Sequence, residues 1–191
     1  YTPAGQLTSW FVWGGRPAYW SYGPGGYYYR DDWVYYNDRR YLPADRYYNQ
    51  VRSLATDVPN VTRGEAAQMD WSPLGVFAVI RPNKDRSTRT LQIAVNREGV
   101  LTGTYFNQET DRVHPILGKV DEQTQRAAWS FADGQRPEVV FETSIYNLTR
   151  DEADLMVHFG PSSNDTEVWQ LVRLEEPPER TARSGSGRNI P

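Results

Sequence analysis

The sequence predicts a mainly β protein: an eight-stranded antiparallel up-and-down barrel preceded by a small Tyr/Trp-rich hairpin and helix. Three observations carry this expectation. From Trp71 onward, short runs rich in Val, Ile, Leu, Thr and aromatic residues alternate with turn formers at the spacing of an antiparallel meander. No amphipathic helical period interrupts those runs. Residues 1–48 hold 11 of the 13 tyrosines and 4 of the 7 tryptophans, so the composition changes sharply along the chain.

The first segment is broken by Gly14-Gly15, Pro17 and Gly23-Pro24-Gly25-Gly26, with Trp10, Trp13 and Trp20 set among them. Tyr27–Arg30 and Trp33–Tyr36 have strand propensity and flank a turn at Asp31-Asp32. Asn37-Asp38 supplies a second turn before a third short strand, Arg39–Tyr41. Leu42-Pro43-Ala44-Asp45 then opens a helix over 44–56, with Tyr47, Tyr48, Val51, Leu54 and Ala55 at helical spacing. Residues 1–56 thus form an aromatic arm, and 57–70, with Pro59 and Gly64, a linker.

The eight barrel strands are predicted at Leu74–Arg81, Thr90–Asn96, Val100–Asn107, Val113–Val120, Arg126–Ala132, Glu138–Tyr146, Ala153–Phe159 and Thr166–Leu174. Leu91, Ile93 and Val95 alternate with Gln92, Ala94 and Asn96; Phe141 and Thr143 alternate with Val140, Glu142 and Ser144. Arg97-Glu98-Gly99 makes a tight hairpin with Gly99 at positive φ. Gly103 and Gly118, inside strands, mark bends or bulges, and Asp151-Glu152 caps a short turn. Closure of residues 71–174 into a barrel removes exposed edges and leaves room for packed side chains or one small ligand. The rival is a sandwich of seven or eight strands. Residues 175–191 are dominated by Pro, Gly, Ser and charge, which predicts a flexible tail.

Leu91 to Tyr105, LQIAVNREGVLTGTY, resembles the hairpin of the avidin and streptavidin family. Trp71-Ser72-Pro73-Leu74-Gly75 is similar to that family's opening strand, Pro115–Gly118 to its fourth and Val140–Thr143 to its sixth. The resemblance covers roughly residues 71–172 and implies an avidin-like barrel. It does not carry the biotin chemistry. Tyr105 matches a ligand hydroxyl position and Asn107 follows it, but Val76 stands at the first-strand serine position and Val139 near a sixth-strand threonine. Phe141 and Phe159 replace pocket tryptophans, and the family's final-strand Asp or Asn has no match in Trp169–Leu174, so tight biotin binding is not expected. The whole chain, YYYRDDWVYYND included, is also similar to exported bacterial proteins labelled mu-protocadherin-like cell-surface proteins. That similarity implies a place at the cell envelope. A chain beginning at Tyr1 rather than Met adds an expectation of processing after export, and hence of a secreted, cell-surface or periplasmic location.

The chemistry on offer is sparse. A net charge of −3 disfavours nucleic-acid binding by phosphate neutralisation. The absence of cysteine removes disulfides and thiolate sites, and two histidines on separate segments make no metal site, so no cofactor or metal is expected. No apolar run is long enough for a transmembrane helix. The paired acids, such as Asp31/Asp32 and Asp121/Glu122, lie in predicted turns and read as solvated; Asp151-x-x-Asp154 lacks the glycine and terminal glutamate of a calcium loop. His114 and His158 read as partly buried, hydrogen-bonded side chains, and no nucleophile motif or phosphate loop accompanies them, so no catalytic residue is assigned and a non-enzyme is expected.

An arm this small cannot hide so many rings within itself. Trp10, Trp13, Tyr19, Trp20, Tyr22, Tyr27, Tyr28, Tyr29, Trp33, Tyr35 and Tyr36 are therefore the candidate interface, each ring offering a large apolar face and, for Tyr and Trp, one polar tip. The first expectation is a structural or interaction protein of the bacterial envelope, assembling through this arm with copies of itself or an envelope complex; a carbohydrate-stacking platform and packing of the rings on the chain's own barrel are the competing accounts. The second is a small-molecule-binding barrel, with Tyr105, Asn107, Trp129, Phe131 and Phe141 as pocket walls.

Overall fold

The structure, a computed structural model, describes residues 1–11, 13, 15–59, 65 and 68–175. The predicted tail, apart from Glu175, and residues 60–64 and 66–67 of the predicted linker lie outside the described residues. The chain forms α1 (Ala4–Trp10), a three-stranded meander β1 (Tyr27–Arg30), β2 (Trp33–Tyr36) and β3 (Arg39–Pro43), and α2 (Ala44–Thr56). Both meander turns have two successive residues at positive φ, Asp31 and Asp32 at 50° and 60°, Asn37 and Asp38 at 50° and 59°. That is the tight hairpin turn whose twist suits antiparallel strands, and Asn and Asp tolerate it better than other side chains.

Eight further strands follow: β4 (Trp71–Ile80), β5 (Arg89–Asn96), β6 (Val100–Asn107), β7 (Arg112–Val120), β8 (Arg126–Phe131), β9 (Val140–Ser144), β10 (Glu152–His158) and β11 (Thr166–Arg173). Each pairs antiparallel with its sequence neighbour, and β11 pairs with β4, which closes the barrel. The predicted barrel is therefore present and the sandwich is not. Leu74, Phe77, Val79, Leu91, Ile93, Val95, Trp129, Phe141, Leu155, Val157 and Leu171 fill its interior. The β5–β6 turn has Gly99 at φ 78°, and Asn96 Oδ1 accepts the backbone N–H groups of Glu98 and Val100.

Two local expectations are corrected. Gly103 and Gly118 sit in strands of unbroken register; a Cβ there would collide with the Gln92 and Ala128 carbonyls, so close strand approach, not a bulge, demands glycine. The barrel's irregularity lies in β4 between Pro73 and Gly75, next to Gly75 at φ 139°. Asp151-Glu152 caps nothing: the short 3₁₀ turn is Asn147–Thr149, and Glu152 already belongs to β10.

The two ends of the barrel differ. At one end α1 enters the mouth left by the start of β4 and the β5–β6 turn. Leu7 and Phe11 join the barrel core, and Trp10 and Trp13 pack against it. Thr2 anchors the segment, its N–H and hydroxyl both donating to Pro73 O at 2.8 Å, while its Oγ1 lies 2.6 Å from Ser72 Oγ. The opposite end, where β5, β7, β9 and β11 begin, is open.

The arm is not a separate body. Residues 16–22 run as a strap along the barrel side: Ala18 N–H donates to Gln125 Oε1, Gln125 Nε2 to Arg16 O, and the Ser144 hydroxyl to Ala18 O. The Asn147 amide exchanges two hydrogen bonds with the Trp20 backbone. The meander and α2 then cover the outer face of β8–β10, and Val34, Tyr47, Tyr48, Val51 and Ala55 form a second core with Ala128, Val140 and Met156. Every residue of β9 is buried for this reason, although its alternation alone marks one face for water.

Candidate functional site

Two clusters of chemistry emerge, one sealed and one open. The sealed one lies between α2 and the barrel. Glu142 points outward from β9, and α2 covers it completely, leaving it 0% exposed. Its Oε1 accepts from the Tyr47 hydroxyl at 2.8 Å and from His158 Nε2 at 3.2 Å, and its Oε2 lies 3.2 Å from Arg126 Nε. The Arg126 guanidinium is flanked by the Trp20 and Tyr47 rings at 5.2 and 4.9 Å. Tyr29 reaches His158 Nδ1 at 3.3 Å, and Tyr22 donates to the Glu142 carbonyl. Burial alone pushes the Glu142 carboxyl up, but Arg126, His158 and Tyr47 outweigh it and hold the group below its ordinary value. Burial pushes Tyr47 and Tyr22 well above theirs. Arg126 Nε and Glu142 Oε2 meet as an ion contact without a hydrogen bond, and with the bonds from Tyr47, His158 and Tyr22 the cluster ties the arm to the barrel. His158 is buried and hydrogen-bonded, as expected.

The open cluster is the barrel mouth. A cavity of about 220 Å³ is lined by Tyr105 and Asn107 of β6, Phe131 of β8, Val139 and Phe141 at the start of β9, Trp169 of β11 and Phe159. Arg81, Arg89, Arg136 and His114 complete the lining. Tyr105, Phe131 and Phe141 contact one another edge-on or tilted, with centroids 5.4–5.9 Å apart. Burial pushes the Tyr105 hydroxyl up to about 12, with Arg89, Arg81 and Arg136 opposing the shift. That hydroxyl has no hydrogen-bond partner among the described residues, so it is available to an occupant. His114 Nδ1 donates to Asp133 Oδ2 at 2.6 Å; the bond outweighs burial and keeps Asp133 below its ordinary value.

Four of the five predicted wall residues, Tyr105, Asn107, Phe131 and Phe141, meet here. Trp129 does not: it is fully buried in the core, stacked on Phe141 at 5.9 Å. Val139 lines the mouth, whereas Val76 pairs with Gln92 on the outward side of β4, because the irregularity at Pro73–Gly75 shifts the strand. Phe159, expected in place of a pocket tryptophan, also lines the mouth; Arg81, Arg89, His114, Arg136 and Trp169 were not expected as walls, and Arg81 and Trp169 come together only when β4 pairs with β11.

The candidate interface residues are spread over three places. Trp10 and Trp13 pack at the closed end, and Trp20, Tyr22, Tyr27 and Tyr29 pack against the barrel or its covering helix. Tyr28, Trp33 and Tyr35 lie on the meander face turned away from the barrel, where Tyr28 and Tyr35 stack at 5.2 Å. Tyr19 and Tyr36 are the most exposed of the eleven, each at 42%. A larger and more open groove of about 570 Å³ runs between α2 and the β7–β8 turn, lined by Tyr41 and Leu54 together with polar side chains such as Asn49, Gln50 and Arg126. Among the described residues, no group of three or more His, Cys, Asp or Glu is placed to hold a metal ion, and no helix is long and apolar enough to cross a membrane. A scan against protein-family models, a search of curated proteins and a search of solved structures each found no match to this chain.

Proposed function

We propose that the chain is a small-molecule-binding β-barrel whose site is the open mouth. One observation carries this reading: the barrel is closed by α1 at one end and left unfilled at the other, where an aromatic wall meets a free tyrosine hydroxyl. A concave site in which aromatic rings meet converging polar groups can seat and orient a small ligand. Saturation-transfer NMR with indole and phenol as probes tests it. Both are expected to bind the wild-type chain, and Val139→Phe, which places a ring in the mouth, is expected to weaken binding at least ~10-fold, or about 1.4 kcal/mol, with the fold retained by circular dichroism. Absence of binding, or equal binding by the variant, would overturn the reading.

The meander's outer face favours a second reading, an interaction role with other chains of the cell envelope. Arg30 lies over the Tyr35 ring at 4.3 Å and Arg40 over Trp33 at 5.1 Å, so this face carries stacked cations and rings of the kind enriched at interfaces. Light scattering of the wild type is expected to give a mass above the monomer, and the Tyr28→Ala/Trp33→Ala double variant the monomer mass. A monomeric wild type removes self-assembly from this reading.

A further inference from the structure

We infer that the occupant of the mouth is a small planar anion, an aromatic carboxylate whose charged group meets Arg81 and Arg136 while its ring lies against Tyr105, Phe131 and Trp169. The inference rests on the mouth being a binding site and names the chemistry it selects.

The charges at this end of the barrel are segregated. The lining contains Arg81, Arg89, Arg136 and His114 and no Asp or Glu. The acids that pair with them, Glu167, Glu109, Glu138 and Asp133, stand outside the lining on the surrounding loops and strand ends. An entering group therefore meets the cations first from within, and a negative charge is favoured over a positive or neutral one.

The cations are not equally occupied. Arg89 is engaged, donating to Glu109 Oε2 at 2.9 Å and to Thr88 Oγ1 at 3.2 Å. Arg81 approaches Glu167 only to 3.7 Å, and that same carboxylate oxygen already accepts the Trp169 indole N–H at 2.6 Å. Arg136 stands 3.8 Å from Glu138. Neither Arg81 nor Arg136 donates a side-chain hydrogen bond to any described residue, and Arg81 Nε is buried without an acceptor. A buried donor left over in this way calls for a partner. A guanidinium presents its donors as a planar fork that matches a carboxylate with two parallel bonds.

The ring half of the inference follows from the walls. Arg81 lies over the Trp169 ring at 5.4 Å, and Arg136 faces Phe159 at 5.9 Å, so both loosely paired guanidinium groups sit beside aromatic faces. A bare inorganic anion would engage the guanidinium groups but not the Tyr105 and Phe131 rings that line the same cavity. The cavity of about 220 Å³ is below the usual range for drug-sized ligands, and equals roughly seven water molecules at ~30 Å³ each, which suits one ring system and a short acidic arm.

Isothermal titration of the full chain with a matched pair, indole-3-acetate and indole-3-acetamide, tests the inference. The acetate is expected to bind at least ~10-fold more tightly, and Arg81→Gln is expected to erase that preference. Arg136→Gln, on an exposed side chain, is expected to reduce the preference in the same way and serves if Arg81→Gln fails to fold. Equal affinities for acetate and amide in the wild type would overturn the anion assignment and leave the mouth as a charge-indifferent pocket. Binding of neither compound would overturn both.

Discussion

Glu142→Leu is expected to lower the unfolding free energy by about 3–5 kcal/mol, the range for removing one partner of a buried ion pair. The cost does not come from losing an attraction alone. Arg126, 6% exposed, stays fixed between the Trp20 and Tyr47 rings with its counter-charge gone, and the Tyr47 hydroxyl and His158 Nε2 lose their shared acceptor. Adding Arg126→Met should recover part of the loss, since an apolar pair of similar size carries no uncompensated charge. Urea unfolding of the two single variants and the double variant measures this. A loss below ~1 kcal/mol for Glu142→Leu would mean that the cluster is hydrated rather than sealed. The same site sets a pH dependence. Glu142 titrates below its ordinary value of 4.5 in the fold, so its contribution is complete above that pH and fades as the pH falls through the lower folded value. The gap between wild type and Glu142→Leu should therefore narrow below about pH 4.5. Asp121 and Asp133, held low by Thr124 and His114 against the opposing effect of burial, add to the acid slope of both proteins and cancel in the difference.

Leu7→Ala is expected to cost about 2–5 kcal/mol, the range for truncating a fully buried leucine. Leu7 is the apolar centre of α1 and is 0% exposed, with the barrel core on its inner side. The void it leaves cannot collapse easily, because Thr2 ties the chain to Ser72 and Pro73 and the strands around it are held by their ladder. The urea midpoint should fall while the dependence on urea concentration stays the same, since the surface exposed on unfolding barely changes. A cost under ~1 kcal/mol would show that α1 rests on the barrel end without sealing it.

The reason some of this is legible in the sequence and some is not lies in range. Hairpin-linked strands leave local marks: alternation in Leu91–Val95, Asn96 and Gly99 at a turn, Asp31-Asp32 and Asn37-Asp38 where two residues must take positive φ. The predicted strands and the helix over 44–56 accordingly match the structure closely. α1 left almost no mark, because a helix of seven residues carries little periodic signal and owes its existence to the core it enters. Glu142 reads as a solvent-facing residue in VFETS, and only the covering helix, nearly a hundred residues earlier in the chain, makes it buried. Tyr105, Asn107 and Phe141 could be named because the resemblance of their strands to a known barrel family implies a pocket there, and Phe131 because it stands near the end of a predicted strand. Arg81 and Trp169 could not, since they meet only when the last strand returns to the first.

The unlike ends of the barrel have a kinetic consequence. With Leu7 and Phe11 sealing its base, the interior is a cul-de-sac, so any guest departs by the route it used to arrive. Residence time then depends on the few side chains ringing the entrance, Arg81 and Arg136 among them, and alterations there should change the rate of escape far more than the rate of capture.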